Sequence, residues 1–299
     1  MRKLRHCALA IVAVAMPLVA VAQADEVDAE FQAKLDALET EYGAIALKGA
    51  PVTLNVTEEY GFYDAKESQF ILEDVWGNPP DSTVLGMLFP IAEESDTSEE
   101  EAWAIAFTYE KTGYVTDSDA ATTDYDDLLR DMKKTTREIN PERIRQGYPS
   151  IELVGWAASP YYDADLHGVF WGKDLIFDGA EQHTLNYEMR MLGRRGVLSM
   201  NFIANLDDLV DVEAAAPNIL EMVNFNEGAR YSDYQEGDKK AGYGVAALVA
   251  GGAGLAVAKK AGLIGIILIF LKKGFVFVIA GLAILGGWFK RMLGGGAKS

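Results

Sequence analysis

The chain has 299 residues, 49% of them hydrophobic, and a formal charge of −18 at pH 7. That length and apolar share suit one large or two modest domains once apolar ends are set aside, and so acidic a surface repels nucleic acid and anionic headgroups. The single cysteine, Cys7, lies ahead of the first apolar run, so the chain beyond it has no disulfide, no thiolate nucleophile and no cysteine-ligated zinc.

Residues 1–24, MRKLRHCALAIVAVAMPLVAVAQA, set Arg2, Lys3 and Arg5 before an apolar run that closes on Ala22-Gln23-Ala24. This is the layout of a cleaved secretory signal; an uncleaved anchor is the alternative, for which the run is short. Removing those three cations takes the formal charge from −18 to −21.

Further on, Phe31, Leu35, Leu38 and Tyr42 recur at helical spacing and predict an amphipathic helix over 25–42. Val52, Leu54 and Val56 alternate with polar residues, and GFYDA follows a short turn, which predicts a first hairpin. A helix over 66–75 is stopped by Gly77-Asn78-Pro79-Pro80. Strands over 83–89 and 102–109 flank an acidic, solvated loop from Glu93 to Glu101. An Asp-rich stretch then leads into a helix over 125–139, with Asp124 as N-cap and Lys133, Lys134 and Arg137 toward its end. Strands over 151–157 and 167–177 come next, joined by a Pro/Tyr/Asp turn.

The strongest pattern is TLNYEMRMLGRRGVLSMNFIAN at 184–205, a long hairpin about Gly193-Arg194-Arg195-Gly196. If Gly193 faces Gly196, then Leu185, Tyr187, Met189 and Met191 oppose Ala204, Phe202, Met200 and Leu198 on one apolar face. Asn186, Glu188 and Arg190 oppose Ile203, Asn201 and Ser199 on the other. A one-residue slip would turn polar residues onto the core, so the register is well specified. Asp207 or Asp208 caps a helix to Val223, with Leu209, Val212, Ala216, Ile219 and Leu220 on one side. Mostly hairpin-connected strands with interspersed helices predict an α+β domain with an antiparallel sheet.

From Tyr243 the composition changes to three apolar blocks of 16 residues or fewer, separated by Lys259-Lys260 and Lys272-Lys273 and closed by Lys290-Arg291. One block as a helix spans about 24 Å against a hydrocarbon core of about 30 Å, and snorkelling lysines extend it, so at least one transmembrane segment is expected. The predicted organisation is a signal at 1–24, an exported acidic domain at 25–240, a membrane-anchoring tail at 241–293 and a short polar end at 294–299.

Asp163, Asp165 and His167 form D-x-D-x-H, either a fragment of a metal site or an Asp-rich turn; no second ligand cluster accompanies them, and no metal is expected. Asp117, Asp119 and the acids at 124–127 raise the question of calcium, but the EF-hand pattern fails at Ala121 and Thr122 and helix capping is the simpler use. No G-x-S-x-G, H-E-x-x-H or S-x-x-K pattern occurs, and no cofactor is expected. Arg190, Arg194 and Arg195 make a cationic spot able to fork onto a carboxylate or phosphate, unless they are a solvated turn with one sheet-surface arginine. Trp76, Trp103, Trp156 and Trp171, with Tyr148, Tyr161 and Tyr162, either line a groove or fill a core.

Several short runs carry a resemblance: GNPP at 77–80, GYV with D-x-D-A at 113–120, QGYP at 146–149, GW at 155–156, YDAD at 162–165, LNY at 185–187, LGRRGVL at 192–198, and AGYG with ALVAGG at the start of the apolar stretch. As a set they resemble the DUF2167 family of membrane-anchored bacterial proteins over about 52–288; a proline expected after the GW segment is displaced to Pro160. The resemblance implies a signal, an exported domain and a membrane segment, and no catalytic residue. The order of elements is also similar to the PsbP/Mog1-like α/β/α sandwich, an analogy of fold only.

The expected function is thus a non-enzymatic envelope protein at the bacterial cytoplasmic membrane, its domain on the periplasmic side. Its partners would be the bilayer, through the tail, and an envelope protein or small ligand, with Arg190, Arg194, Arg195, Asp163 and His167 as candidate binding residues. The alternative is a membrane-associated hydrolase or transferase using carboxylates or Arg190 with His167 or His183.

Overall fold

The computed structural model describes residues 29–76, 78, 81–91, 103–145 and 147–251. The signal at 1–24, the loop at 93–101, most of the tail and the polar end lie outside them.

Among the described residues, helices α1 (Ala29–Asp36), α2 (Ala65–Phe70), α3 (Tyr125–Arg145), α4 (Leu209–Met222) and α5 (Val245–Val249) accompany twelve strands. The strands are β1 (Gly43–Ala46), β2 (Val52–Val56), β3 (Tyr60–Asp64), β4 (Val84–Pro90), β5 (Ala104–Glu110), β6 (Tyr114–Thr116), β7 (Ile151–Asp163), β8 (Gly168–Phe177), β9 (Thr184–Leu192), β10 (Val197–Asn205), β11 (Val223–Phe225) and β12 (Lys240–Gly244). Seven form an antiparallel sheet in the order β3-β4-β5-β10-β9-β8-β7. A small antiparallel sheet, β1-β2-β11, and a parallel pair, β12-β6, lie outside it.

The α+β class is as the hydrophobic pattern predicts, and the central hairpin has the register its alternation requires. Met191 pairs with Leu198, Met189 with Met200, Tyr187 with Phe202 and Leu185 with Ala204. Those residues join Ile105 and Phe107 of β5, and their face is covered by Val52 and Leu54 of the small sheet and by Val212, Ala216, Ile219 and Met222 of α4. At the turn, the Gly193 N–H donates to Gly196 O at 2.8 Å. A Cβ on Gly196 would overlap the Glu110 carbonyl, so glycine is required there by close approach.

The first hairpin is corrected. β2 pairs with β1 and β11, so both its edges are filled, and β3 turns away to pair with β4. The predicted helix over 25–42 is also shorter, because the Glu41 N–H donates to Phe62 O at 2.9 Å and draws the chain into an extended path. Conversely, α3 runs through Pro141 to Arg145; Asn140 anchors this part by exchanging hydrogen bonds of 2.8 and 2.9 Å with the backbone of Ile151. Asp124 does cap α3, accepting from the N–H groups of Asp126 and Asp127.

The second face of the large sheet carries two apolar clusters. Ile71, Leu72 and Trp76, in the helical turn that follows α2, cover Met87, Phe89, Ala104, Ala106 and Ile203. At the other end Val245, Leu248 and Val249 of α5 join Val115 of β6 and Tyr231 over Val169, Trp171, Leu192 and Val197. Residues 241–251, which open the apolar stretch assigned to the tail, are therefore packed as part of the domain. Among the described residues no helix is long and apolar enough to cross a membrane.

Candidate functional site

On this second face the alternation of the strands directs polar side chains outward from the middle of the sheet. The register sets Arg190 beside Val169 and Ser199, Glu188 beside Trp171 and Asn201, and Asn186 beside Lys173. Asn186, Glu188, Arg190 and Ser199 are nevertheless buried, Arg190 with only 6% exposure. Its guanidinium lies 5.4 Å over the Trp171 ring, with Nη1 3.5 Å from Glu110 Oε1 and Nε 3.6 Å from Glu188 Oε2. Both carboxylate contacts sit at or past the limit of a hydrogen bond.

Glu110 Oε2, Glu188 Oε2, Arg190 Nε, Ser199 Oγ and Trp171 Nε1 are buried without a hydrogen-bond partner among the described residues. A buried polar atom left without a hydrogen bond costs about 1–3 kcal/mol in general, so a group of this kind favours additional partners. Lys173, partly buried at the edge of the group, has its ammonium pushed below the ordinary lysine value. Burial is the main cause; Arg190 adds to it and Glu188 opposes it. Two acids and two bases of one sheet face thus form a charge-balanced group with few internal hydrogen bonds.

Over this group passes β12. Tyr243 sits near Glu110 and Arg190, its phenol raised first by burial and further by Glu110. Two carboxylates hold the segment down. Asp119 accepts from the N–H groups of Val245 and Ala246 at 2.9 and 3.2 Å, across 126 and 127 residues of chain. Arg194 donates from Nε and Nη2 to Asp238 at 2.6 and 3.0 Å, and this forked contact lowers the Asp238 carboxyl to about 2.

The candidate residues therefore serve several places. Arg190 belongs to the buried group, Arg194 holds Asp238, and Arg195 is exposed. Asp163 Oδ1 accepts from the N–H groups of Asp165 and Leu166, shaping the β7–β8 turn. His167, at φ 50°, ends that turn with its ring 4.4 Å from Tyr231, which stacks on Tyr114 at 4.4 Å; Tyr234 lies 4.2 Å beyond. His183 contacts Asp174 at 2.7 Å, so neither histidine's contacts involve Arg190. Trp76, Trp103 and Trp171 are buried in the core, while Trp156 donates to the Tyr125 carbonyl. Among the described residues no group of three or more His, Cys, Asp or Glu is placed to hold a metal.

Sequence reasoning missed Glu110, Lys173, Tyr243, Asp119 and Asp238 as members of one region. Glu188 was legible beside Arg190 from the hairpin period, whereas Asp119 and Asp238 meet partners distant in the chain, for which no local signal exists.

The fold and site define an α+β domain with a layered sheet and a buried charged group beneath the strand that leads to its apolar tail. The chain belongs to the family described as a protein of unknown function, DUF2167, whose model matches residues 39–283. Among solved structures it is similar to the cyanobacterial PsbP protein (CyanoP) of Synechocystis sp. PCC 6803, at 13% identity and TM-score 0.33, over 63% of this chain and 95% of that one. It is also similar to the Ran-binding protein Mog1p of Saccharomyces cerevisiae, at 8% identity and TM-score 0.34, over 66% and 100% respectively. No curated protein matches the chain.

Proposed function

We propose that the protein is a membrane-tethered envelope protein that binds a protein partner or small ligand without chemistry of its own. The signal at 1–24 exports it, the acidic domain stands on the periplasmic side of the cytoplasmic membrane, and the apolar tail enters the bilayer. The observation that carries this reading is the packing of Val245, Leu248 and Val249, at the start of the apolar stretch, into the sheet. A tail rooted in that way holds the domain close to whatever surface the tail enters.

Fractionation of cells making the full chain tests the tether. The protein is expected to stay with the membranes through alkaline carbonate and to leave them in detergent; release by carbonate would overturn it. Crosslinking in intact membranes, read by mass spectrometry, then gives the partner.

The second reading, a hydrolase or transferase, draws on Arg190 between Glu110 and Glu188. Complementation of a deletion strain by Glu110→Gln and Glu188→Gln chains tests the second reading: chemistry by these acids requires loss of complementation with folding intact, and retained complementation would overturn it.

A further inference from the structure

We propose that residues 238–251 form a releasable strap, which lifts from the sheet as a unit and uncovers the charged group of Arg190, Glu110 and Glu188. Three observations converge on this segment. Its pairing to the body is slight, because β12 meets β6 only at Lys240 with Tyr114 and Gly244 with Thr116, with an irregularity between them. Its two fasteners are carboxylate contacts at opposite ends, Arg194 with Asp238 and Asp119 with the first N–H groups of α5. Finally, the surface beneath is one that gains from opening.

That last point separates the strap from an ordinary terminal segment. Val245, Leu248 and Val249 are almost wholly buried and favour the closed state. Beside them, Oε2 of Glu110, Oε2 of Glu188 and Nε of Arg190, which make no hydrogen bond among the described residues, would each acquire one from water or a ligand once uncovered. An apolar contact that closes and a polar group that opens, set under one short segment, make a two-state element. Gly244 fits the same design, since any Cβ there would overlap the Asp119 carboxylate, so the fastener seats only on glycine.

Because residues 238–251 are where the rest of the apolar stretch joins the domain, a displacement of the tail is delivered to the strap before any other part of the domain. The strap does not depend on the tail entering a bilayer. Its use as a gate does rest on the binding reading above, since opening exposes a charge-balanced face suited to a small polar ligand.

Thiol labelling of the full chain in detergent tests the strap. In a Cys7→Ser background no cysteine remains, so Val169→Cys, beneath α5, reports strap opening, and Ala216→Cys, on the buried side of α4 at the other face of the sheet, reports opening of the whole domain. Adding Asp119→Ala is expected to speed labelling at position 169 at least tenfold and to leave position 216 unchanged. Equal acceleration at both positions would mean that the segment opens only with the global fold, and no acceleration at either would mean that Asp119 fastens nothing; either result overturns the proposal. Both outcomes leave the binding reading to its own crosslinking test.

Discussion

Arg194 lies in a tight hairpin turn yet is only 8% exposed, because Asp238 closes over it with both carboxylate oxygens. The contact has a definite pH signature. Asp238 has an ordinary value of 3.8 and is lowered to about 2 in the fold, chiefly by the hydrogen bond from Arg194. The folded state therefore holds this proton more weakly than the unfolded chain does. The contribution to stability is present above pH 3.8 and is lost as the pH falls through about 2. Thermal unfolding of the wild-type chain and Arg194→Met from pH 7 to pH 2 is expected to show the gap between their midpoints narrowing below pH 4. A gap constant across that range would show that the pair adds no pH-dependent stability. At the other end of the turn, Gly196→Ala forces a methyl group against the Glu110 carbonyl. A loss of about 2–3 kcal/mol is expected, as for other overpacked sites, measurable by urea unfolding.

Among the elements, those with a strong local period were legible. The β9–β10 hairpin shows its register in sequence because a slip would expose Met189 and Phe202, and α4 shows its face in Val212, Ala216 and Ile219. Elements whose identity depends on distant partners were not. β2 and β3 read as a hairpin because they are adjacent and alternate, but β2 is filled on both edges, one of them by β11, a three-residue strand far along the chain. β6 and β12 are similarly short and parallel, and a crossover between them leaves no turn signal. The candidate site was half legible for a related reason. The period of the hairpin puts Glu188 and Arg190 on its polar face, and a polar face reads as solvated; it is buried because the helical turn after α2, together with α5, brings a third layer that the period cannot reveal.

Taken as a whole molecule, the domain ends later than a composition boundary suggests, and the reason is energetic. The change to apolar residues near Tyr243 marks where the chain becomes hydrophobic, but Val245, Leu248 and Val249 spend that hydrophobicity on Val169, Trp171 and Val197. Burying three such side chains contributes roughly 1.5–3 kcal/mol apiece, which together is a large part of the 5–15 kcal/mol typical of a folded domain. Two truncations therefore behave differently. A chain spanning residues 25–251 keeps α5, β12 and both carboxylate fasteners, and is expected to unfold in one cooperative step. A chain spanning residues 25–239 loses the strap from Lys240 onward, exposing Trp171 and Val169 together with Arg190, and its midpoint is expected about 10–20 °C lower by the usual conversion for a domain of this size. Calorimetry of the two fragments decides the matter. Equal midpoints would show that the root of the tail rests on the sheet without stabilising it, and the domain would then end where the composition changes.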